Sequence, residues 1–280
     1  MKSIQSKSLL SLIIIFFIIG FSTSAKNLFS LQGEINPADS ISPLAAISTK
    51  VPIERAFVRN PDWVEYPSSL EAHRDESKEY VKHYSRNERE YIIHMFNKGK
   101  NFFPRAVKIF DKYNVPDELQ MLPALESNFN ANAVSAAGAV GYWQFMGELA
   151  GEYGLSTKGK YDERKDFTKS TTAAAKFFRD QLEVFQGDLL LTVAAYNCGP
   201  GRVLADIKKS GKSNADFWDI KKYLPTETRL FVMRFISLNV ISANYDKFLK
   251  RKLNFNEPPL VQFASIDSSD LNNSTSRNSL

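Results

Sequence analysis

The sequence predicts an all-α protein, and three observations predict it. Apolar side chains recur at three-to-four spacing from about Ser68 to Lys250. No stretch alternates apolar and polar residues as a half-buried strand would. The breaks between apolar runs carry Gly, Pro and Asn, which end helices. The chain has 280 residues, 43% of them hydrophobic, so a sizeable core is available.

The elements follow in order. Tyr80, Val81 and Tyr84, then Tyr91, Ile92, Met95 and Phe96, mark a buried helical stripe with a stop at Gly99. Phe102 to Tyr113 repeats the pattern through Phe103, Val107, Ile109 and Phe110. Asn114-Val115-Pro116-Asp117 breaks it and starts a helix expected to run to Glu126. Asn128 to Gly141 reads as loop and short turns, and Gln144 to Tyr153 as a helix closed by Gly154. Tyr161 to Arg164 is a polar connector. Thr171 to Phe185 is a strong helix with Ala173, Ala174, Phe177, Phe178 and Leu182 on one side. Asp188 is placed to cap Leu189 to Asn197, which is apolar nearly all round and therefore central. Gly199-Pro200-Gly201 stops it, Arg202 to Lys209 is one more short helix, and Pro225 to Lys250 reads as one long final helix.

The flanks differ in composition. Lys2 and Lys7 precede an uncharged run from Leu9 to Phe21, followed by Ser22-Thr23-Ser24-Ala25. This reads as a signal peptide over residues 1–25; an uncleaved anchor is the other reading, although the run is short of the ~20 residues a span needs. Residues 26–67 are expected to be a linker or arm, ordered in part by Phe57, Trp63 and Tyr66. Residues 68–250 form the helical domain, and 251–280 a mostly disordered polar tail. Loss of the leader lowers the net charge from +5 to +3, compatible with an anionic wall polymer and no signature of nucleic-acid binding. Cys198 is the only cysteine, so no internal disulfide forms. His73, His83 and His94 lie far from it in one helical region, and no metal-ligand cluster or cofactor motif is evident.

The stretch from Met121 to Met146 carries the chemistry. An apolar run ends on one acid, Glu126, followed by Ser127, and no further Asp or Glu occurs before Glu148. Small residues from Ala131 to Gly141 lead into Tyr142-Trp143-Gln144-Phe145. A carboxyl at the end of an apolar segment is desolvated, stays protonated near neutrality and suits acid catalysis on a sugar. An ordinary helix-end acid is the alternative. Trp143 and Phe145 fit core better than sugar platforms; Tyr196 fits a cleft.

Four patches in register point further: Glu126-Ser127; Gly138-Ala139-Val140-Gly141-Tyr142-Trp143-Gln144-Phe145; Ala194 to Gly201, AAYNCGPG; and Leu224-Pro225-Thr226-Glu227-Thr228 with Phe231-Val232. Together, over about Tyr84 to Asn244, they resemble the soluble lytic transglycosylase domain, especially its membrane-bound murein transglycosylase D group. The resemblance implies a lysozyme-like helical fold and cleavage of peptidoglycan glycan strands in the periplasm or cell envelope. It implies Glu126 as catalytic acid, with Ser127, Gln144, Tyr196 and Asn197 on the substrate. Glu227 and Phe231 would support the acid from behind. Gly138 and Gly141 would let the backbone approach the ligand, and Gly199 and Gly201 would end a buried helix. Phe231 departs from the family, which has a Tyr there; Tyr84, Tyr91 and Tyr245 are other sources of a hydroxyl. Gly147 to Gly151 departs from a usual Thr-Gly pair, and the downstream wall-binding repeats of the group are absent from the sequence.

Hydrolysing glycosidases generally use two carboxyls. None is evident beside Glu126; Asp162, Glu163, Asp166, Asp188 and Glu227 are candidates that read equally as cap or surface acids. One carboxyl is enough if the sugar's own C6 hydroxyl attacks, since intramolecular attack gains an effective molarity of roughly 10⁵ M or more. The resemblance implies this route and a 1,6-anhydro end, without metal or cofactor. A goose-type muramidase and a peptidoglycan-binding protein without turnover are the alternatives. Oligomeric state is not set by the sequence.

Overall fold

The computed structural model describes residues 63–158 and 161–256, and among them every regular element is helical. The expectations for the leader, for most of the arm including Phe57, and for the tail beyond 256 lie outside these residues. In chain order the helices are α1 (Arg74–Asn87), α2 (Arg89–Gly99), α3 (Phe103–Phe110), α4 (Leu122–Ser127), α5 (Gly147–Glu152), α6 (Phe167–Val184), α7 (Leu189–Cys198), α8 (Pro200–Ser210), α9 (Phe217–Ile220), α10 (Thr226–Ala243) and α11 (Tyr245–Leu249). Single-turn 3-10 segments join several of them.

Helices α7 and α10 form the centre. Every residue of α7 from Leu189 to Ala195 is buried, as its all-round apolar sequence requires. Asp188 caps it, accepting from the N–H of Leu191 at 2.8 Å. α10 is buried along Phe231, Val232, Phe235, Ile236 and Val240, and packs on α7 and on α1.

Four boundaries differ from the sequence expectation, each for a local reason. The segment into Glu126 is not one helix. Residues Asp117–Met121 are 3-10, and α4 starts after them. Pro123 has no N–H for the Leu119 carbonyl, so the helix cannot run through; Leu122 N–H bonds that carbonyl with 3-10 spacing instead. α5 begins at Gly147 rather than Gln144, because Gln144 takes a left-handed φ of 49°. α6 begins four residues before Thr171, where Asp166 accepts from the N–H of Lys169. The final helix breaks at Asn244, whose amide donates to the Glu65 carbonyl at 2.6 Å and accepts from the Glu65 N–H at 2.9 Å. One side chain thus satisfies the backbone of the arm 179 residues away. Lys247 holds the Trp63 carbonyl beside it, and Tyr66 is buried under the Arg74 guanidinium. α9 was not anticipated; Asp216 and Asp219 close it with a reciprocal capping box.

Candidate active site

α4 is six residues long, with Pro in its first turn and Asn128 in the left-handed conformation at its end. This sets Glu126 and Ser127 at its C-terminal turn. The neighbours are buried apolar groups: Leu122 and Ala124 on α4, then Phe129. Glu126 Oε2 is buried and has no hydrogen-bond partner. Burial first, and then the negative charge of Glu227, push the Glu126 carboxyl from 4.5 up to about 8. The acid is therefore mostly protonated at neutral pH.

Glu227 is the second carboxyl near Glu126. It stands in the first turn of α10, half-buried. Burial raises its pKa, and the Arg234 cation opposes the rise. The two environments split the pair: Glu227 ionises first, and its charge then holds the proton on Glu126.

The loop from Phe129 to Met146 forms the wall beside α4. Ser127 Oγ donates to the Tyr142 carbonyl at 2.9 Å and accepts from the Asn130 N–H. It thereby ties the turn after Glu126 to the aromatic segment. Gln144 is buried, and its Nε2 donates to the Gly141 carbonyl at 2.9 Å and the Ala133 carbonyl at 3.2 Å. Trp143 and Phe145 are core, as expected. Trp143 packs near Phe110 and Phe178 and donates from Nε1 to Thr171 at 3.0 Å. Tyr196, on α7, donates its hydroxyl to the Trp143 carbonyl. Burial, then the charge of Glu126, raise the Tyr196 phenol well above its ordinary value, so it remains a neutral donor next to the acid.

Asn197 is buried on α7. Its Oδ1 accepts from the Thr228 hydroxyl at 2.7 Å, both groups buried, which fastens α7 to the residue after Glu227. Phe231, one turn further along α10, is buried. It brings no hydroxyl to Glu126, consistent with the partnerless Oε2. Of the other tyrosines, Tyr91 reaches only the Ala124 carbonyl, at 3.5 Å, and Tyr245 packs on Phe96.

The glycines of this segment serve the backbone itself. A Cβ at Gly141 would lie 2.1 Å from the Arg164 carbonyl oxygen, so the close approach is to this chain's own backbone. Gly138 has open space around it and is required by its φ of 88°. Gly199 does end α7, with φ of 87°, but Gly201 lies inside α8. Two residues were missed. Arg164 is nearly buried, pairs with Asp162 at 2.7 Å and donates to the Phe145 carbonyl at 3.0 Å, bracing the wall. Arg234 was signalled only by being the one charge between Arg229 and Asp246.

A helical domain that buries one acid against a neutral tyrosine is the class the geometry defines. Residues 107–218, which hold Glu126, Gln144 and Tyr196, match the family model described as Transglycosylase SLT domain. The chain is 36% identical over 176 residues to membrane-bound lytic murein transglycosylase D of Escherichia coli K12, covering 62% of this chain and 38% of that protein. It thus spans well under half the length of that relative. Among solved structures, lytic transglycosylase Slt of Pseudomonas aeruginosa aligns with a TM-score of 0.44 at 21% identity, over 54% of this chain and 24% of that one. The 70 kDa soluble lytic transglycosylase of E. coli aligns with a TM-score of 0.42 at 21% identity, over 50% and 24%.

Proposed function

We propose that this chain is an exported peptidoglycan lytic transglycosylase, with residues 68–250 as its catalytic unit and 1–25 as its export signal. Its substrate would be the glycan strands of the cell envelope, cut between N-acetylmuramic acid and N-acetylglucosamine. The observation that carries the reading is the buried, partnerless Oε2 of Glu126, with a carboxyl pushed up to about 8.

Such a carboxyl donates its proton to the leaving glycosidic oxygen. It then accepts the proton of the C6 hydroxyl of the same muramoyl unit as that oxygen attacks the anomeric carbon, leaving a 1,6-anhydro end. Glu227, ionised, has two uses here. It keeps Glu126 protonated before reaction, and it faces the positive charge that develops on the sugar. Ser127 and Gln144 shape the groove by pinning its backbone, with substrate contact through their remaining oxygen lone pairs. Tyr196 holds the wall segment and Asn197 holds α10.

The nearness of Glu227 to Glu126 also favours a second reading. If Glu227 activates a water across the groove, the same pair is a hydrolase. Digestion of purified murein separates the two, because anhydro ends are lighter by one water than reducing ends. Glu126→Gln tests the common core: release of soluble fragments should fall by about 10²–10⁴-fold with the fold intact. A variant keeping more than about a tenth of the wild-type rate would remove Glu126 from the chemistry.

A further inference from the structure

We infer that Lys209 and Lys222, held at the ring of Tyr223, form a site for the carboxylates of the peptide stems carried by the glycan. The choice of ligand rests on the proposed function; the charge arrangement does not. Residues 201–234 carry eight Lys or Arg against four Asp or Glu, so positive charge is gathered from α8 to the first half of α10.

One face of α8 sets up the site. Arg202, Asp206 and Lys209 stand at i, i+4 and i+7 and share that face. Tyr223 lies along it. Its carbonyl accepts from Arg202 Nη2 at 2.6 Å, and the Lys209 ammonium is 4.7 Å from the centroid of its half-buried ring. Lys222, the residue before it, places a second ammonium 4.9 Å from the same centroid. Attraction to the ring offsets part of the repulsion between the two ammoniums and fixes where they stand. Each ammonium has three N–H donors, and the ring occupies only one side of it.

The acids of this region are already engaged. Asp206, buried, pairs with Arg202 at 2.8 Å, and Asp219 pairs with Lys212. Asp216 accepts from the Asp219 N–H at 3.0 Å as the cap of α9. Among the described residues no carboxylate lies within ion-pair distance of Lys209 or Lys222, and both residues are exposed. Two cations gathered at one ring, with no counter-charge from the chain, suit an anion from outside.

Position selects the anion. Glu227, four residues after Tyr223, stands in the first turn of α10, which packs on α4, the helix of Glu126. The next residue, Thr228, is bonded to Asn197, the neighbour of Tyr196. Four residues span at most about 14 Å, and an extended peptide of four or five residues reaches ~13–18 Å. A muramoyl unit seated at Glu126 can therefore lay its stem along Tyr223, where the stem carboxylates meet both ammoniums.

The test measures binding without turnover, on Glu126→Gln protein titrated with soluble glycan chains. The chains are used with their peptide stems and after an amidase has removed them. At low salt the stem-bearing chains should bind about three- to tenfold more tightly, as two exposed ion pairs allow, and high salt should erase the difference. Adding Lys209→Gln and Lys222→Gln should bring the two kinds of chain to equal affinity. Lys108→Gln with Lys112→Gln, which removes the same charge from exposed positions near the end of α3, should leave the preference in place. Equal affinity for both chains in the parent protein, or binding to neither, overturns the inference. So does a preference that survives loss of Lys209 and Lys222, or one that the Lys108 and Lys112 changes abolish equally. Cleavage of the stripped chains by the wild-type protein is read separately. If they stay intact, the transglycosylase reading fails, while the binding comparison still decides the stem site.

Discussion

Replacing Glu126 by Gln should make the protein inactive and, above neutral pH, more stable. The wild-type carboxyl ionises near 4.5 when exposed and near 8 in the fold. A folded-state pKa raised above the unfolded one means that the folded protein binds more protons in that interval. Its contribution is fully favourable below pH 4.5 and is lost as pH rises towards 8. Each pH unit of that gap corresponds to 1.36 kcal/mol, so the full loss above pH 8 is about 5 kcal/mol, and at pH 7 about 3 kcal/mol. Gln keeps the shape and has no proton to lose. Relative to wild type, Glu126→Gln should therefore gain stability steadily between pH 4.5 and 8, on the order of 5–10 °C in melting temperature at pH 7. Whatever the buried amide itself costs is an offset that does not change with pH. Urea or thermal unfolding of both proteins from pH 4.5 to 9 reads the slope. Parallel stability curves across that range would refute a buried, protonated Glu126.

Three further outcomes follow from the same geometry. Activity should fall on the alkaline side with a midpoint near 8, because the reactive form carries its proton; a rate that is flat to pH 9 would argue against Glu126 as the acid. Phe231→Tyr should move that midpoint down, since a phenol donating to the carboxylate favours the ionised form, and Glu126 Oε2 has no donor now; an unmoved alkaline limb would show that residue 231 does not reach the acid. Gly141→Ala should cost about 2–4 kcal/mol in chemical denaturation, because a Cβ would meet the Arg164 carbonyl at 2.1 Å on a backbone with φ of 84°; a loss under about 0.5 kcal/mol would show that the wall does not need that contact.

The sequence shows most of the fold where stability comes from one-dimensional pattern. α7 is legible because Leu189 to Ala195 is apolar all round, and α3, α6 and α10 because their stripes keep the helical period. It fails where a distant partner decides. Nothing near Asn244 says that its amide will clasp Glu65, so the last helix looks continuous. Asp166 was readable as a cap, and the early start of α6 could have been taken from it. In the site, Glu126 stood out by being the only acid in a long apolar and small-residue stretch. Its tuning did not, because Glu227 and Tyr196 come to it from helices far along the chain. Ser127, Gln144 and Asn197, expected on the substrate, also bond the protein itself. Spacing alone does not show these internal bonds, because their partners are groups placed by the fold.

The most direct measurement is digestion of murein in ¹⁸O-enriched water, followed by mass analysis of the released muropeptides. If the sugar supplies its own attacking oxygen and Glu126 alone shuttles the proton, the new ends carry the 1,6-anhydro mass and no ¹⁸O. New ends that carry one ¹⁸O at the cleaved anomeric carbon would mean that water attacked, and that Glu126 and Glu227 work as a hydrolase pair.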